Sequence, residues 1–317
     1  MKQRHIITSP LLLRLLPLIT PTFIDSPAIA QAAFSSSSIR TINHYRSIAS
    51  SIAMMSSSNN ILESPSAERN KGPIYDMVLS PIVLPRLLND DTTTTTAAAD
   101  NNKKSLKVLE LAAGCGVHTI HFTQSILSSH PSLNLEWIPS DPDEEARQSI
   151  DARVCANANL SSCVQHANGW ILGNRGGTAC QDGIRDKGDA GSSSAGMSSS
   201  SSEGNGVDYE MYTSYFDLLL CINMIHIAPW EATLGLMECA GVVLRSGGIL
   251  MCYGPYKLDG TAVESNLKFD ASLKSKDPSW GVRDLEAVVE VANANGLEFV
   301  QSVDMPANNL SVLFCKK

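Results

Sequence analysis

Residues 110–116 read Glu-Leu-Ala-Ala-Gly-Cys-Gly and lie between two segments of different periodicity. Residues 106–112 form a short apolar run, which predicts a buried β-strand. Residues 117–128 carry apolar side chains at helical spacing. Because glycine has no Cβ, Gly114 and Gly116 allow the backbone to turn tightly and to approach a ligand closely. The stretch therefore predicts a strand, a glycine turn and a helix in succession.

The rest of the chain continues this alternation. Further strands are predicted at residues 135–141, 161–167, 216–223, 248–254, 297–305 and 310–316, and further helices at 143–156, 230–244 and 280–295. Alternating strands and helices predict an α/β fold with a doubly wound, mostly parallel sheet, here of seven strands. The last two strands are joined by a short connection, which predicts one antiparallel strand in that sheet.

Two low-complexity tracts interrupt the pattern, at about residues 90–104 and 173–206. They are rich in Thr, Ala, Ser and Gly and have too little apolar surface to offset the entropy of ordering them. We interpret them as inserts in a single domain that spans residues 59–317. The net charge of the chain is −8, although residues 1–60 carry five basic side chains and one acidic side chain. The acidic body disfavours a nucleic-acid partner, because phosphate binding needs dense Lys and Arg.

Residues 1–58 have the composition of a targeting segment. They combine a basic start, an apolar stretch and a Ser- and Arg-rich run with few acids. We predict a disordered presequence for import into a plastid or mitochondrion; the alternative is a disordered extension of a cytoplasmic protein. No later segment has the roughly 20 apolar residues that a membrane span requires.

The acid before the glycine turn distinguishes two classes of nucleoside cofactor. A dinucleotide site needs a third small residue and a pyrophosphate at the helix N-terminus, whereas Thr119 occupies the third place here. A carboxylate at Glu110 would repel a pyrophosphate but suits the ammonium group of S-adenosylmethionine. Gly114 and Gly116 are then expected to face the cofactor, so that a side chain at Gly116 would occupy ligand space. The turn favours S-adenosylmethionine over NAD.

Two other strand ends carry polar residues at the same predicted edge. Asp141 ends the second strand, where an acid can bind the two hydroxyls of a ribose; alternatively it caps the helix that begins near Pro142. Asn223 and His226 follow the fourth strand, and we predict that Asn223 contacts the cofactor and that both residues take part in catalysis. His226 is a candidate general base because its ordinary pKa is close to physiological pH; alternatively it is a buried structural histidine.

Aromatic and polar side chains outside these strand ends predict a small substrate pocket. The candidates are Arg69, Asn70, Tyr253, Asn266, Trp280 and Arg283. The first two precede the sheet and are expected to fold over the cofactor or the substrate. For each of these residues, an ordinary surface position is the alternative.

The order of these motifs resembles the methyltransferase-like 26 family. The matching pieces are residues 66–74, 109–118, 135–141, 223–230, 253–256, 265–266, 269–270, 277–285 and 305–309. The resemblance covers about residues 62–317 apart from the two inserts. It implies a Rossmann-like class I methyltransferase fold and S-adenosylmethionine as cofactor, but no particular substrate. One departure is residues 164–168, which read Val-Gln-His-Ala-Asn and lack the acid that usually lies near the third strand.

The predicted function is methyl transfer from S-adenosylmethionine to a small molecule. The alternative is a cofactor-binding pseudoenzyme or a protein-interaction partner without methyl transfer. The eight cysteines are scattered and form no Cys-x-x-Cys pair, so we expect neither a disulfide framework nor a metal site. The sequence also lacks the Gly-x-Ser-x-Gly, Walker and His-Glu-x-x-His motifs of common hydrolases and NTPases.

Overall fold

The computed structural model of the protein describes residues 61–89, 104–170, 172 and 209–317. The predicted presequence and the insert at 173–206 lie outside these residues, as does the insert at 90–104 apart from Lys104. All described residues belong to one compact unit, Asn59–Lys317.

The secondary structure alternates between strands and helices after an N-terminal helical segment. That segment consists of α1 (Pro65–Ile74), a π-helical stretch (Tyr75–Val83) and α2 (Leu84–Leu88). The following elements are β1 (Ser105–Leu111), α3 (Val117–Ser129), β2 (Asn134–Ser140), α4 (Glu144–Ala156), a 3-10 helix (Tyr209–Tyr212), β3 (Phe216–Ile222), α5 (Trp230–Val243), β4 (Leu244–Gly254), β5 (Tyr256–Lys257), α6 (Glu264–Lys276), β6 (Arg283–Asp284), α7 (Leu285–Ala294), β7 (Leu297–Met305), a 3-10 turn (Pro306–Asn308) and β8 (Asn309–Lys316).

The main sheet has the strand order β2-β1-β3-β4-β8-β7. Strands β1 to β4 pair in parallel, and β8 runs antiparallel to both of its neighbours. This confirms the doubly wound, mostly parallel sheet with one antiparallel strand. The predicted count of seven strands is wrong for the described residues, in which the sheet has six. The predicted third strand is reduced to two parallel bridges, Trp137 with Val164 and Ser140 with Asn168, because the segment offers few apolar side chains to bury.

Helices cover both faces of the sheet. On one face, α1, α2, α3 and α4 pack against side chains such as Val108 and Leu218. On the other face, α5 and α7 pack against the alternate side chains, including Leu109 and Leu219. All seven residues of β3 are buried, as expected for a central strand covered on both faces. Within the described residues, no helix is both long enough and apolar enough to cross a membrane.

The structure corrects one helix prediction and adds two helical segments that the sequence did not predict. The last predicted helix begins at Leu285, since residues 283–284 form β6, which pairs with β5 in a second small sheet. Helix α6 was not predicted, because two of its three buried residues are polar and the apolar periodicity is lost. The N-terminal helical segment was not predicted either, because prolines at 73 and 81 are typical of helix ends.

Candidate functional site

The strand order creates a crevice at the carboxyl ends of β1 and β3. The chain leaves β1 toward β2 on one side and leaves β3 toward β4 on the other, so these neighbours form the point at which the winding reverses. Ligands of doubly wound sheets bind at such a point. Ala112 after β1 and Asn223 after β3 both have left-handed backbones, with φ of 52° and 59°. Such conformations are unfavourable for residues other than glycine and often occur at functional sites.

The two glycines of the turn have different surroundings. Gly114 has φ of 59°, and apart from its two chain neighbours no described residue has an atom within 4 Å of the point where a Cβ would stand. Gly116, with φ of 84°, precedes the first residue of α3. A Cβ on Gly116 would lie 3.0 Å from Cα and 3.1 Å from Cγ1 of Ile150 in α4. The expectation that a side chain at Gly116 would occupy ligand space is therefore wrong: this glycine permits helix packing, and Gly114 is the one that borders open space.

Asp141 joins the end of β2 to the glycine turn. Its Oδ2 accepts a hydrogen bond from the Gly114 backbone N–H (2.9 Å), and its Oδ1 accepts one from the Asp143 N–H (3.0 Å). The helix-cap alternative is wrong, because Asp143 is the residue whose side chain caps α4 by accepting from Glu145 N–H. Burial raises the pKa of Asp141, and the two backbone hydrogen bonds oppose that shift. Each carboxylate oxygen still has a second lone pair for a ligand.

Glu110 is enclosed between β2 and the first turns of α3. Its Oε2 accepts hydrogen bonds from Thr119 Oγ1 (2.6 Å) and Trp137 Nε1 (2.9 Å). Its Oε1 is buried and has no partner within the part of the chain that the structure describes. Burial raises the pKa of Glu110 to about 7, despite the two hydrogen bonds that lower it. The carboxyl group links α3 to β2, and its predicted contact with a cofactor ammonium stays a prediction.

His226 is buried beside the end of β4. A Cβ on Gly254 would lie 3.0 Å from Nδ1 and Cε1 of the imidazole, so the absence of a side chain lets the ring approach the strand. The Phe269 ring packs edge-on against it at 5.7 Å. Burial, and then the positive charge of Arg283, lower the pKa of His226 to about 4. The ring is therefore neutral at physiological pH and is a weaker base than an ordinary histidine.

The other predicted catalytic residue, Asn223, lies at the same edge. Its backbone N–H donates to the Tyr253 carbonyl oxygen (2.8 Å), which ties the end of β3 to the end of β4. Its side-chain oxygen lies 3.9 Å from the point where a Cβ on Gly254 would stand. The structure thus brings Asn223, Tyr253 and His226 together around Gly254.

A buried polar network links Tyr253 to the N-terminal helix. The Tyr253 hydroxyl accepts a hydrogen bond from Asn309 Nδ2 (3.1 Å), and the nearby Asn70 side chain acts with Asn309 to oppose the rise in the pKa of Tyr253. The Oδ1 atom of Asn70 accepts from His118 Nε2 (2.7 Å). Burial raises the pKa of Tyr253 and lowers that of His118 to about 4, so the network is uncharged at neutral pH. His118 and Asn309 were not predicted as site residues, although both end segments that carry the family resemblance.

Arg283 braces the loop that carries His226 by hydrogen-bonding to backbone carbonyls. Its Nε donates to Ile225 O (2.9 Å), and its Nη2 donates to Ala228 O (2.6 Å) and Ser279 O (3.0 Å). Its side chain also lines a cavity of about 290 Å³. These contacts give Arg283 a structural role beside its predicted place in the pocket.

The remaining pocket candidates are scattered. Asn266 is buried, and its Nδ2 donates to Asn308 O (2.8 Å) in the turn before β8. Trp280 is half-buried, and Arg69 is exposed on α1. The predicted pocket residues therefore do not form one cluster: Asn70 and Tyr253 meet, whereas Arg69 lies at the surface.

The sheet order and the glycine turn define a doubly wound, Rossmann-like α/β fold. The family model for a protein of unknown function, DUF938, matches residues 62–170 and 199–316. The chain belongs to this family. The model passes over residues 171–198, most of which fall in the low-complexity insert predicted at 173–206.

Several solved structures are similar to this chain. The pyocyanin biosynthetic protein PhzM is 14% identical, with a TM-score of 0.44 over 74% of this chain and 53% of its own. An O-methyltransferase family protein from Burkholderia thailandensis is 13% identical, with a TM-score of 0.47 over 67% and 51%. An O-methyltransferase family 2 protein from Planctomyces limnophilus, in complex with apigenin, is 17% identical, with a TM-score of 0.46 over 93% and 72%. The chain spans about half the length of the first two proteins.

Proposed function

We propose that the protein is an S-adenosylmethionine-dependent methyltransferase that acts on a small molecule. The observation that carries this proposal is the geometry of the crevice between β1 and β3. There the position of a Cβ on Gly114 borders open space, and the Gly114 N–H donates a hydrogen bond to Asp141 at the end of β2. The resemblance of the sequence motifs to the methyltransferase-like 26 family supports it as well.

The residues around the crevice fit the nucleoside part of that cofactor. The second lone pairs of Asp141 are available for the two ribose hydroxyls, and the lack of a side chain at Gly114 lets the ligand lie against the backbone. Asn168 lies beside Asp141, because the Asp141 N–H donates to the Asn168 carbonyl oxygen (3.0 Å). We infer that the Asn168 amide takes the place of the missing third-strand acid near the adenine.

The bound cofactor would supply an electrophilic methyl group on sulfur. Transfer of such a group depends mainly on proximity and on alignment of the acceptor, so the protein needs few strong acid–base groups. The neutral His226 and the uncharged network around Tyr253 agree with that requirement. Their part is to orient the acceptor and to exclude water, while Asn223 contacts the cofactor from the end of β3.

Titration calorimetry with S-adenosylmethionine and S-adenosylhomocysteine tests the proposal. We expect both compounds to bind, and Asp141→Ala to weaken binding. Asp143→Ala is a matched control, since it removes the cap of α4 two residues away and leaves the Asp141 carboxylate in place. NADH serves as the competing ligand. Correctly folded protein that binds neither sulfur compound, or that binds NADH instead, would refute the proposal.

A cofactor-binding protein without methyl transfer is the second candidate. The lack of an acid in residues 161–168 favours it. Incubation with methyl-labelled cofactor and fractionated plastid and mitochondrial extracts, the compartments that the presequence predicts, distinguishes the two. A labelled small molecule supports the enzyme, and cofactor binding without label transfer to any fraction supports the second candidate.

A further inference from the structure

Two side chains of α4 hold the glycine turn and the N-terminal segment together. The hydroxyl of Ser149 donates to the Cys115 carbonyl oxygen (3.0 Å) and accepts from the Leu62 backbone N–H (2.9 Å). Arg153 repeats this bridge, with Nε donating to Cys115 O (2.8 Å) and Nη2 donating to Leu62 O (2.6 Å). Both polar groups of the Leu62 backbone are thus bonded to residues that also fix the turn.

We call residues 61–70 the N-terminal strap. Further along the strap, Ala67 packs on Cys115 and Val117 in a small apolar cluster. At its end, Asn70 accepts the hydrogen bond from His118 in the first turn of α3. The strap therefore contacts residue 115 of the turn and residues 117 and 118 at the start of α3, on either side of Gly116.

Cys115 lies between the two glycines, and its carbonyl belongs to the peptide bond that joins it to Gly116. Hydrogen bonds to this carbonyl therefore fix the orientation of that peptide. Both glycines have left-handed backbones, so the turn lacks the restraint that an ordinary side chain would impose. Ser149 is fully buried and Arg153 partly buried, and their hydrogen bonds replace that restraint. Without these donors, the Cys115 carbonyl loses the side-chain hydrogen bonds that hold it in one orientation.

We propose that Ser149 and Arg153 are positioning residues that couple docking of the N-terminal strap to cofactor binding at the glycine turn. The inference rests on the proposed function. Because coupling between two sites is reciprocal, the cofactor stabilises the docked strap by the same factor by which the docked strap tightens cofactor binding.

Calorimetric titration with S-adenosylhomocysteine tests the first half of this coupling. We expect Arg153→Gln and Ser149→Ala to raise the Kd about tenfold each, with the double variant weaker still. Val154→Ala is the control, since it removes apolar volume from the same helix without touching Cys115. It should lower the melting temperature and leave the Kd unchanged, whereas a merely structural role for Ser149 and Arg153 would give their variants that same result.

Hydrogen–deuterium exchange tests the second half. S-adenosylhomocysteine should slow exchange of the Leu62 amide in the wild-type protein and have little effect on it in the double variant. Two results would overturn the coupling. One is a Kd within twofold of wild type in both single variants, and the other is an amide exchange rate in the strap that the ligand does not change. Wild-type protein that binds no S-adenosylhomocysteine would instead refute the proposed function, and the coupling with it. If the wild type binds S-adenosylhomocysteine and the variants bind it with the same Kd, only the coupling is refuted.

Discussion

Alanine at Gly116 should mainly reduce stability, whereas alanine at Gly114 should mainly reduce ligand binding. At Gly116 the new Cβ would lie 3.0 Å from a backbone atom of Ile150, which cannot swing aside. The left-handed conformation costs about 1–2 kcal/mol for an L-residue, and overpacking adds about 1–3 kcal/mol, so we expect a loss of about 2–5 kcal/mol. At Gly114 the space is open, and only the conformational cost of about 1–2 kcal/mol applies.

Urea and thermal unfolding measure these losses, and calorimetry with S-adenosylhomocysteine measures binding. For a domain of this size, each kcal/mol lowers the melting temperature by about 2–4 °C. Gly116→Ala should be the less stable variant and should keep its affinity in the folded fraction. Gly114→Ala should fold and lose affinity, because its methyl group projects into the crevice. Equal destabilisation by the two substitutions, or loss of affinity in the Gly116 variant alone, would refute this assignment of the two glycines.

Four other predictions follow from the same geometry. Because burial raises the pKa of Glu110 from 4.5 to about 7, its contribution to stability falls as pH rises through that window. The expected loss in the free energy of unfolding is about 3 kcal/mol. Urea unfolding at several pH values should show this loss in the wild type and not in Glu110→Gln. Asp141→Ala should weaken S-adenosylhomocysteine binding by about 1.5–3 kcal/mol in calorimetry, and an unchanged Kd would contradict the ribose contact. The His226 imidazole should titrate near pH 4 by NMR, and a midpoint above 6 would restore it as a general base. A short Gly-Ser linker in place of residues 175–204 should leave the Kd unaltered, whereas weaker binding at an unchanged melting temperature would identify the insert as a lid.

Much of the fold could be predicted because its signals are local. The apolar runs that form β1, β2, β3 and β4 indicate strands buried on both faces, and the glycines indicate a turn. Helix α6 could not be predicted in this way, since its buried stripe includes Asn266 and Asp270, whose partners lie elsewhere in the chain. The prediction of a seventh strand was wrong for a related reason. Residues 161–168 pair with β2 at only two points and have no apolar run of their own.

The sequence by itself determined which strand ends carry polar residues, and the parallel sheet brings those ends to one edge. That is why the sequence alone predicts Asp141 and Asn223 at the crevice. Only the tertiary structure decided that Gly116 faces a neighbouring helix, that His226 is a weak base, and that Asn70 reaches a histidine 48 residues away. Each of these properties depends on the atoms that pack around a residue. Desolvation and close contact are set by segments distant in sequence, so no local pattern contains them.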